Sequence, residues 1–175
     1  MRIQIRRERI NDCHQTESVI KRAFANAEMT DHKEHELVAR LRCSEAFVPE
    51  LSLVAENNGD ELIGHVLLTK VTIGIGHKTE SLALAPVSVL PQYQKQGIGK
   101  ILIDKAIEKA GELGYTSVIV LGHPEYYHKF GFKQASSFEI QPPFEAPPEA
   151  FMALEIYEGS LHNVSGIVKY PPEFM

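Results

Sequence analysis

Residues 86–100 read Pro86-Val87-Ser88-Val89-Leu90-Pro91-Gln92-Tyr93-Gln94-Lys95-Gln96-Gly97-Ile98-Gly99-Lys100. An apolar strand, a polar turn, a Gly-x-Gly and a helix start follow one another without a gap. Glycines at such a turn let backbone N–H groups converge just beyond the helix N-terminus, where the helix dipole adds its pull on an anion. The pattern predicts a phosphate or pyrophosphate site, with a plain tight turn as the other reading. The dinucleotide fingerprint is absent, because no third glycine follows at residues 100–102. Pro86 sharpens the case. It stands mid-run between Ala85 and Val87, where a central strand would lose a ladder hydrogen bond, so the strand is an edge or is bulged there. An unpaired strand that runs into a phosphate turn suits a ligand with an amide-bearing arm and a pyrophosphate. Coenzyme A has both; an ordinary edge strand guarded by proline is the alternative.

Outward from this stretch, the helical spacing of Ile98, Leu102, Ala106 and Ala110 predicts a helix closed by Gly114, and residues 117–121 read as a buried strand. A short helix over 125–129 leads to Gly131-Phe132 and a further strand. Upstream, Ile3 and Ile5 alternate with polar neighbours as a short edge strand does. Asn11-Asp12 caps a helix with the stripe Val19, Ile20, Ala23, Phe24 and Ala27, and Thr30-Asp31 caps a second with Leu37, Val38 and Leu41. Residues 51–56 form a strand that turns through Asn57-Asn58-Gly59-Asp60 into another over about 62–72. Gly74-Ile75-Gly76 then turns into a long run over about 81–90. After Phe138 the texture changes: six of the ten prolines lie there, around strand-like pieces at 151–156 and 164–170. The order predicts one mixed α/β (α+β) domain over 1–175, its core at about 1–135 and proline-rich strands over 138–175.

Composition bounds the function. The 175 residues are 43% hydrophobic and 23% charged, with 12 Gly and 10 Pro, which excludes collagen-like, low-complexity and disordered classes. No stretch approaches the about 20 apolar residues of a membrane span. Met1-Arg2-Ile3-Gln4-Ile5-Arg6-Arg7 has no signal-peptide core, and Cys13 and Cys43 are too few for a disulfide scaffold. A cytoplasmic protein without a membrane partner is expected. Eighteen Lys and Arg against 23 Asp and Glu give −5, which argues against nucleic-acid binding and favours the steering of cationic acceptors. Residues 94–133 carry six Lys against four acidic residues, +2, which leaves −7 elsewhere. That island suits an anionic ligand, or a solvated helix laced with Glu/Lys pairs.

Other motifs fail. Gly74-Ile75-Gly76-His77-Lys78-Thr79 has His77 where a phosphate-binding loop needs glycine before its lysine. His32 and His35 lack the His-Glu-x-x-His spacing and a third ligand, so a polar first helical turn and no metal is expected.

Gln94-Lys95-Gln96-Gly97-Ile98-Gly99 resembles the (Gln/Arg)-x-x-Gly-x-(Gly/Ala) signature of the GCN5-related N-acetyltransferases (GNATs). In the family's order, Tyr127-His128-Lys129-Phe130-Gly131-Phe132 resembles its Tyr-x-x-x-Gly-Phe motif, and the tail resembles a bacterial branch. The resemblance implies a GNAT fold: a central mixed, mostly antiparallel sheet, flanked by helices and splayed at the fourth strand. It implies acetyl-CoA as cosubstrate and a primary amine, small-molecule or protein, as acceptor. Gln94 and Lys95 belong to the signature, and the amides of Gln96, Gly97, Ile98, Gly99 and Lys100 would hold the pyrophosphate. The backbone of Val87, Ser88 and Val89 would pair with the pantetheine arm, and one of its N–H groups would polarise the thioester carbonyl. Tyr127 would protonate the leaving thiolate, with Tyr126 its rival for that role.

Many relatives carry a glutamate base at the position of Ala83. Glu80 reads as surface, and Ser88, His123, Glu125 or a water chain remain for that task. The tail either closes the pocket or builds a homodimer. Two competing readings are a non-catalytic acyl-CoA sensor on the same fold and an unrelated nucleotide-binding domain.

Overall fold

The computed structural model describes residues 2–28 and 30–175. Four α-helices and nine strands follow in the order β1 (Gln4–Arg7), α1 (Cys13–Phe24), α2 (Glu34–Arg42), β2 (Phe47–Glu56), β3 (Leu62–Ile73), β4 (Thr79–Val89), α3 (Ile98–Glu112), β5 (Ser117–Leu121), α4 (Pro124–Tyr127), β6 (Lys133–Gln134), β7 (Ile140–Gln141), β8 (Phe151–Glu155) and β9 (Gly166–Lys169). The sheet order is β1-β2-β3-β4-β5-β8-β6, antiparallel except for β4–β5. β9 pairs with the end of β3 and in parallel with β7.

Adjacent residues of a strand point to opposite faces, so a sheet covered on both faces needs an unbroken apolar run. β3 comes close: residues 62–69 are all buried, with only His65 and Thr69 polar among them. Val66 and Leu68 pack with Leu102, Ala106 and Ala110 of α3, while Leu67 meets Ile20 of α1 and Val38 and Leu41 of α2.

Two elements differ from the sequence expectation. Helix α2 begins at Glu34, with Lys33 rather than Thr30-Asp31 at its N-cap. The Thr30 hydroxyl accepts the His32 N–H and bonds the Glu34 carboxylate, and Asp31 accepts the Lys33 N–H, so these side chains close a turn ahead of the helix. Helix α1 stops at Phe24, leaving Ala27 in the following turn.

A buried polar network ties β1 to the helices. Arg42 of α2 bonds Glu8 at 2.7 Å and Glu17 at 2.6 Å. Ser52 donates to Glu8 at 2.9 Å, and its oxygen lies 2.9 Å from Nε2 of His65, which is wholly buried on β3. Burial pushes the Glu8 carboxyl up, but the Arg42 guanidinium outweighs it and holds it below its ordinary value.

Candidate active site

The pairing of β4 changes where Pro86 stands. Against β3 the register runs Leu68↔Leu84 and then Val66↔Val87, so Ala85 and Pro86 together face Leu67: a bulge in β4. On the other side, β4 pairs with β5 only at Leu82↔Val118 and Ala83↔Ile119. Beyond those pairs the strands part. Val87, Ser88 and Val89 keep β3 on one edge and have no strand on the other. Both conditions that make Pro86 tolerable are met, and the freed main-chain groups need partners from water or a ligand. One is already engaged, because Gln94 Nε2 donates to the Val89 carbonyl at 2.9 Å.

The turn below this edge presents backbone. Gly97 is the N-cap of α3 at φ 85°, a left-handed conformation, and no atom lies within 4 Å of where its Cβ would stand. The space over the turn is open. Lys95 is also left-handed, at φ 62°. The Gln96 amide bonds the Gln92 carbonyl at 3.2 Å, Lys100 pairs with Asp104 at 2.7 Å, and Ile98 is buried in the core. What remains for an anion is the set of main-chain N–H groups of residues 96–100 at the positive end of a 15-residue helix, with no acidic residue in its first turn. An unpaired strand edge followed by an open amide cradle fits an amide-bearing arm and a pyrophosphate.

Tyr126 and Tyr127 lie on α4, which starts behind β5 with Pro124 in its first turn. The Tyr126 hydroxyl reaches the first turn of α3, 3.1 Å from the point a Gly99 Cβ would occupy, and Lys129 sits 4.6 Å over its ring. Tyr127 is buried edge-on to Phe132 and to Tyr126. Burial, with Tyr126 beside it, raises the Tyr127 phenol well above its ordinary value and keeps it a proton donor. Its ring is held by a close approach: a Cβ on Gly122 would stand 2.5 Å from Cε2 of Tyr127. Gly122→Ala is therefore expected to displace that ring, lower stability by about 1–3 kcal/mol and reduce kcat. Urea midpoints and steady-state rates check both, and unchanged values in each would show that the ring is not held there.

The family follows from comparison. The family model described as the acetyltransferase (GNAT) family matches residues 18–132. The chain belongs to that family. The N-acetyltransferase YjhQ of Escherichia coli is 39% identical over 120 residues, 67% of this chain and 65% of that protein. The E. coli GNAT YhbS, in complex with CoA, superposes with a TM-score of 0.90 at 27% identity, covering 99% of this chain and 92% of that one. A Brucella melitensis GNAT in complex with acetyl-CoA gives 0.82 at 31% identity, covering 99% of each chain. The sheet splayed at β4 is thus the GNAT fold, and the protein is an acyltransferase.

In this GNAT the remaining candidates scatter. Glu80 and Glu125 are exposed, and so is His123 at the N-cap of α4. Ser88 is buried, its hydroxyl sealed and without a partner among the described residues. Ala83 lines a cavity of about 860 Å³. From the sheet, Leu84, Val120 and Leu121 join it. From the tail come Ile167 and the aromatic Phe144, Tyr170 and Phe174, whose role the sequence did not show because apolar residues scattered among prolines carry no period. The start of α2, with His32 and His35, does not line this wall. The described residues contain no group of three or more His, Cys, Asp or Glu placed to hold a metal.

Proposed function

We propose that residues 1–175 form one catalytic domain that moves an acetyl group from acetyl-CoA to a primary amine by direct attack in a ternary complex. The observation that carries this reading is the parting of β4 from β5 directly above the Gly97 turn. The relatives solved with CoA and acetyl-CoA support it.

Acetyl-CoA supplies an acyl group on a thiol leaving group. The main-chain amides of residues 96–100 hold its pyrophosphate, and the free edge of Val87–Val89 aligns its pantetheine arm. An N–H of that edge donates to the thioester carbonyl as negative charge grows there. The neutral amine forms the C–N bond, the C–S bond breaks, and Tyr127 gives its proton to the departing thiolate. The ammonium proton leaves to solvent, since no Asp or Glu among the described residues lines the cavity, and solvent returns a proton to Tyr127. This chemistry needs no metal, and it suits the cytoplasm. The placement of the tail supports a role in closing the acceptor cavity rather than in building a dimer.

Ala83 at the position of the usual base favours a second reading, a non-catalytic acyl-CoA sensor. Thermal shifts with acetyl-CoA, CoA, ATP and NAD test cofactor identity. At a hundred times Kd the stabilisation is about 2.7 kcal/mol, roughly 5–10 °C for a chain of this size. Shifts with both CoA species alone are expected; none at millimolar ligand would overturn the reading. Binding without turnover of any amine would favour the sensor.

A further inference from the structure

We propose that the acceptor is an elongated apolar amine with an anionic group at its far end, and not a polycation. This rests on the acetyl-transfer reading and names the substrate class of the same site. The cavity reaches the β4–β5 gap at Ala85 and Leu121, where the amine must lie to meet the thioester. From there its wall is apolar, with Phe144, Ile167 and Phe174 facing Leu84 and Val120.

Among the described residues, the only Lys, Arg, Asp, Glu or His on that wall are Lys78 and Lys169. Both are exposed, and neither is ion-paired among the described residues. They sit at the same end. Lys78 directly precedes β4, and Lys169 is in register, through Thr72 of β3, with Glu80. Glu80 itself does not line the cavity. Lys78 lies seven residues before Ala85, which at strand rise puts roughly 20 Å between the gap and the Lys78 backbone, a span that the lysine side chain shortens.

The chemistry of transfer turns this asymmetry into selection. The attacking amine must be neutral, but a second amine on the same molecule stays protonated. Within this wall it would meet two lysine charges and no Asp or Glu side chain among the described residues, so burying it finds no side-chain compensation. A carboxylate at that distance meets two cations instead. The acidic side chains behind the overall charge of −5 do not line this wall, so the steering of cationic acceptors expected from composition is not matched by the pocket's own side chains.

The test compares 12-aminododecanoate, 1-aminododecane and the length-matched tetramine spermine as acceptors for the wild-type chain. The expected kcat/KM for 12-aminododecanoate is at least tenfold above 1-aminododecane and a hundredfold above spermine. Lys78→Glu with Lys169→Glu, both surface changes, should lower the preference for the carboxylated amine over the plain one at least tenfold, with the acetyl-CoA thermal shift retained. Spermine equal to or better than 12-aminododecanoate would overturn the proposal. So would a preference indifferent to the lysine reversal, or no transfer to 12-aminododecanoate by a chain that does bind acetyl-CoA. A chain that binds no CoA species would overturn the acetyl-transfer reading itself, and this proposal with it.

Discussion

Replacing Tyr127 by phenylalanine is expected to lower kcat a hundredfold or more while leaving the acetyl-CoA thermal shift intact. A positioned proton donor contributes about 10²–10⁴ in rate, and a hundredfold is about 2.7 kcal/mol of transition-state stabilisation. Two features separate this from a packing effect. The environment of the Tyr127 phenol is burial and the neighbouring Tyr126, with no hydrogen bond raising or lowering it, so removing the hydroxyl deletes no structural bond. Stability should therefore hold or rise slightly. The deficit should also shrink with acyl donors whose leaving thiol is more acidic, because such a thiolate needs the proton less. Since burial keeps the phenol protonated above its ordinary value near 10, the wild-type rate should climb with pH as the amine deprotonates and show no alkaline fall from Tyr127 below pH 10. Tyr126→Phe, whose hydroxyl lies over the first turn of α3, should alter the KM for acetyl-CoA more than kcat. A kcat for Tyr127→Phe within twofold of wild type would move the acid role elsewhere.

The parts of this site legible in the sequence are those built from local rules. Pro86 announced an edge or a bulge, because a residue without an N–H can only sit where the ladder is already broken, and the structure has both. Gly97 announced a turn at a helix start, and the structure places it there in a left-handed conformation. The illegible parts depend on pairings between distant segments. Nothing in the run Phe151–Glu155 says that β8 inserts between β5 and β6, since strand periodicity carries the facing of side chains but not the choice of neighbour. The same holds for the acceptor wall. Phe144, Tyr170 and Phe174 come together through β9 docking on β3, about a hundred residues away in sequence. Side-chain roles were also finer than the motif. Gln94 and Gln96 belong to the signature, yet their amides bond Val89 and Gln92 within the protein.

The second large effect lies away from the active site, in the fall of stability with acid. His65 is wholly buried on β3, and burial first, with Arg42 adding to it against the opposing pull of Glu8, lowers its pKa from 6.5 to about 4. The hydrogen bonds explain why it stays neutral. Ser52 gives its one hydroxyl proton to Glu8, so Nε2 of His65 must be the donor toward Ser52. Nδ1 then carries the lone pair and, sealed from solvent, has no partner. Protonating it would bury a charged N–H with no acceptor. A folded-state pKa below the unfolded one means stability that is present above pH 6.5 and is lost as pH falls toward 4. The interval from 6.5 to about 4 corresponds to about 3 kcal/mol at about 1.4 kcal/mol per pH unit. Glu8 and Asp12, both held below their ordinary values by arginines, begin to lose their contributions below about pH 5, a part common to both proteins that the comparison with a His65 variant cancels. Urea unfolding across that interval should show wild type losing about 3 kcal/mol more than His65→Gln, whose amide can still donate to Ser52 without titrating. Parallel stability curves for the two proteins would mean that His65 takes its proton inside the fold as easily as in the unfolded chain.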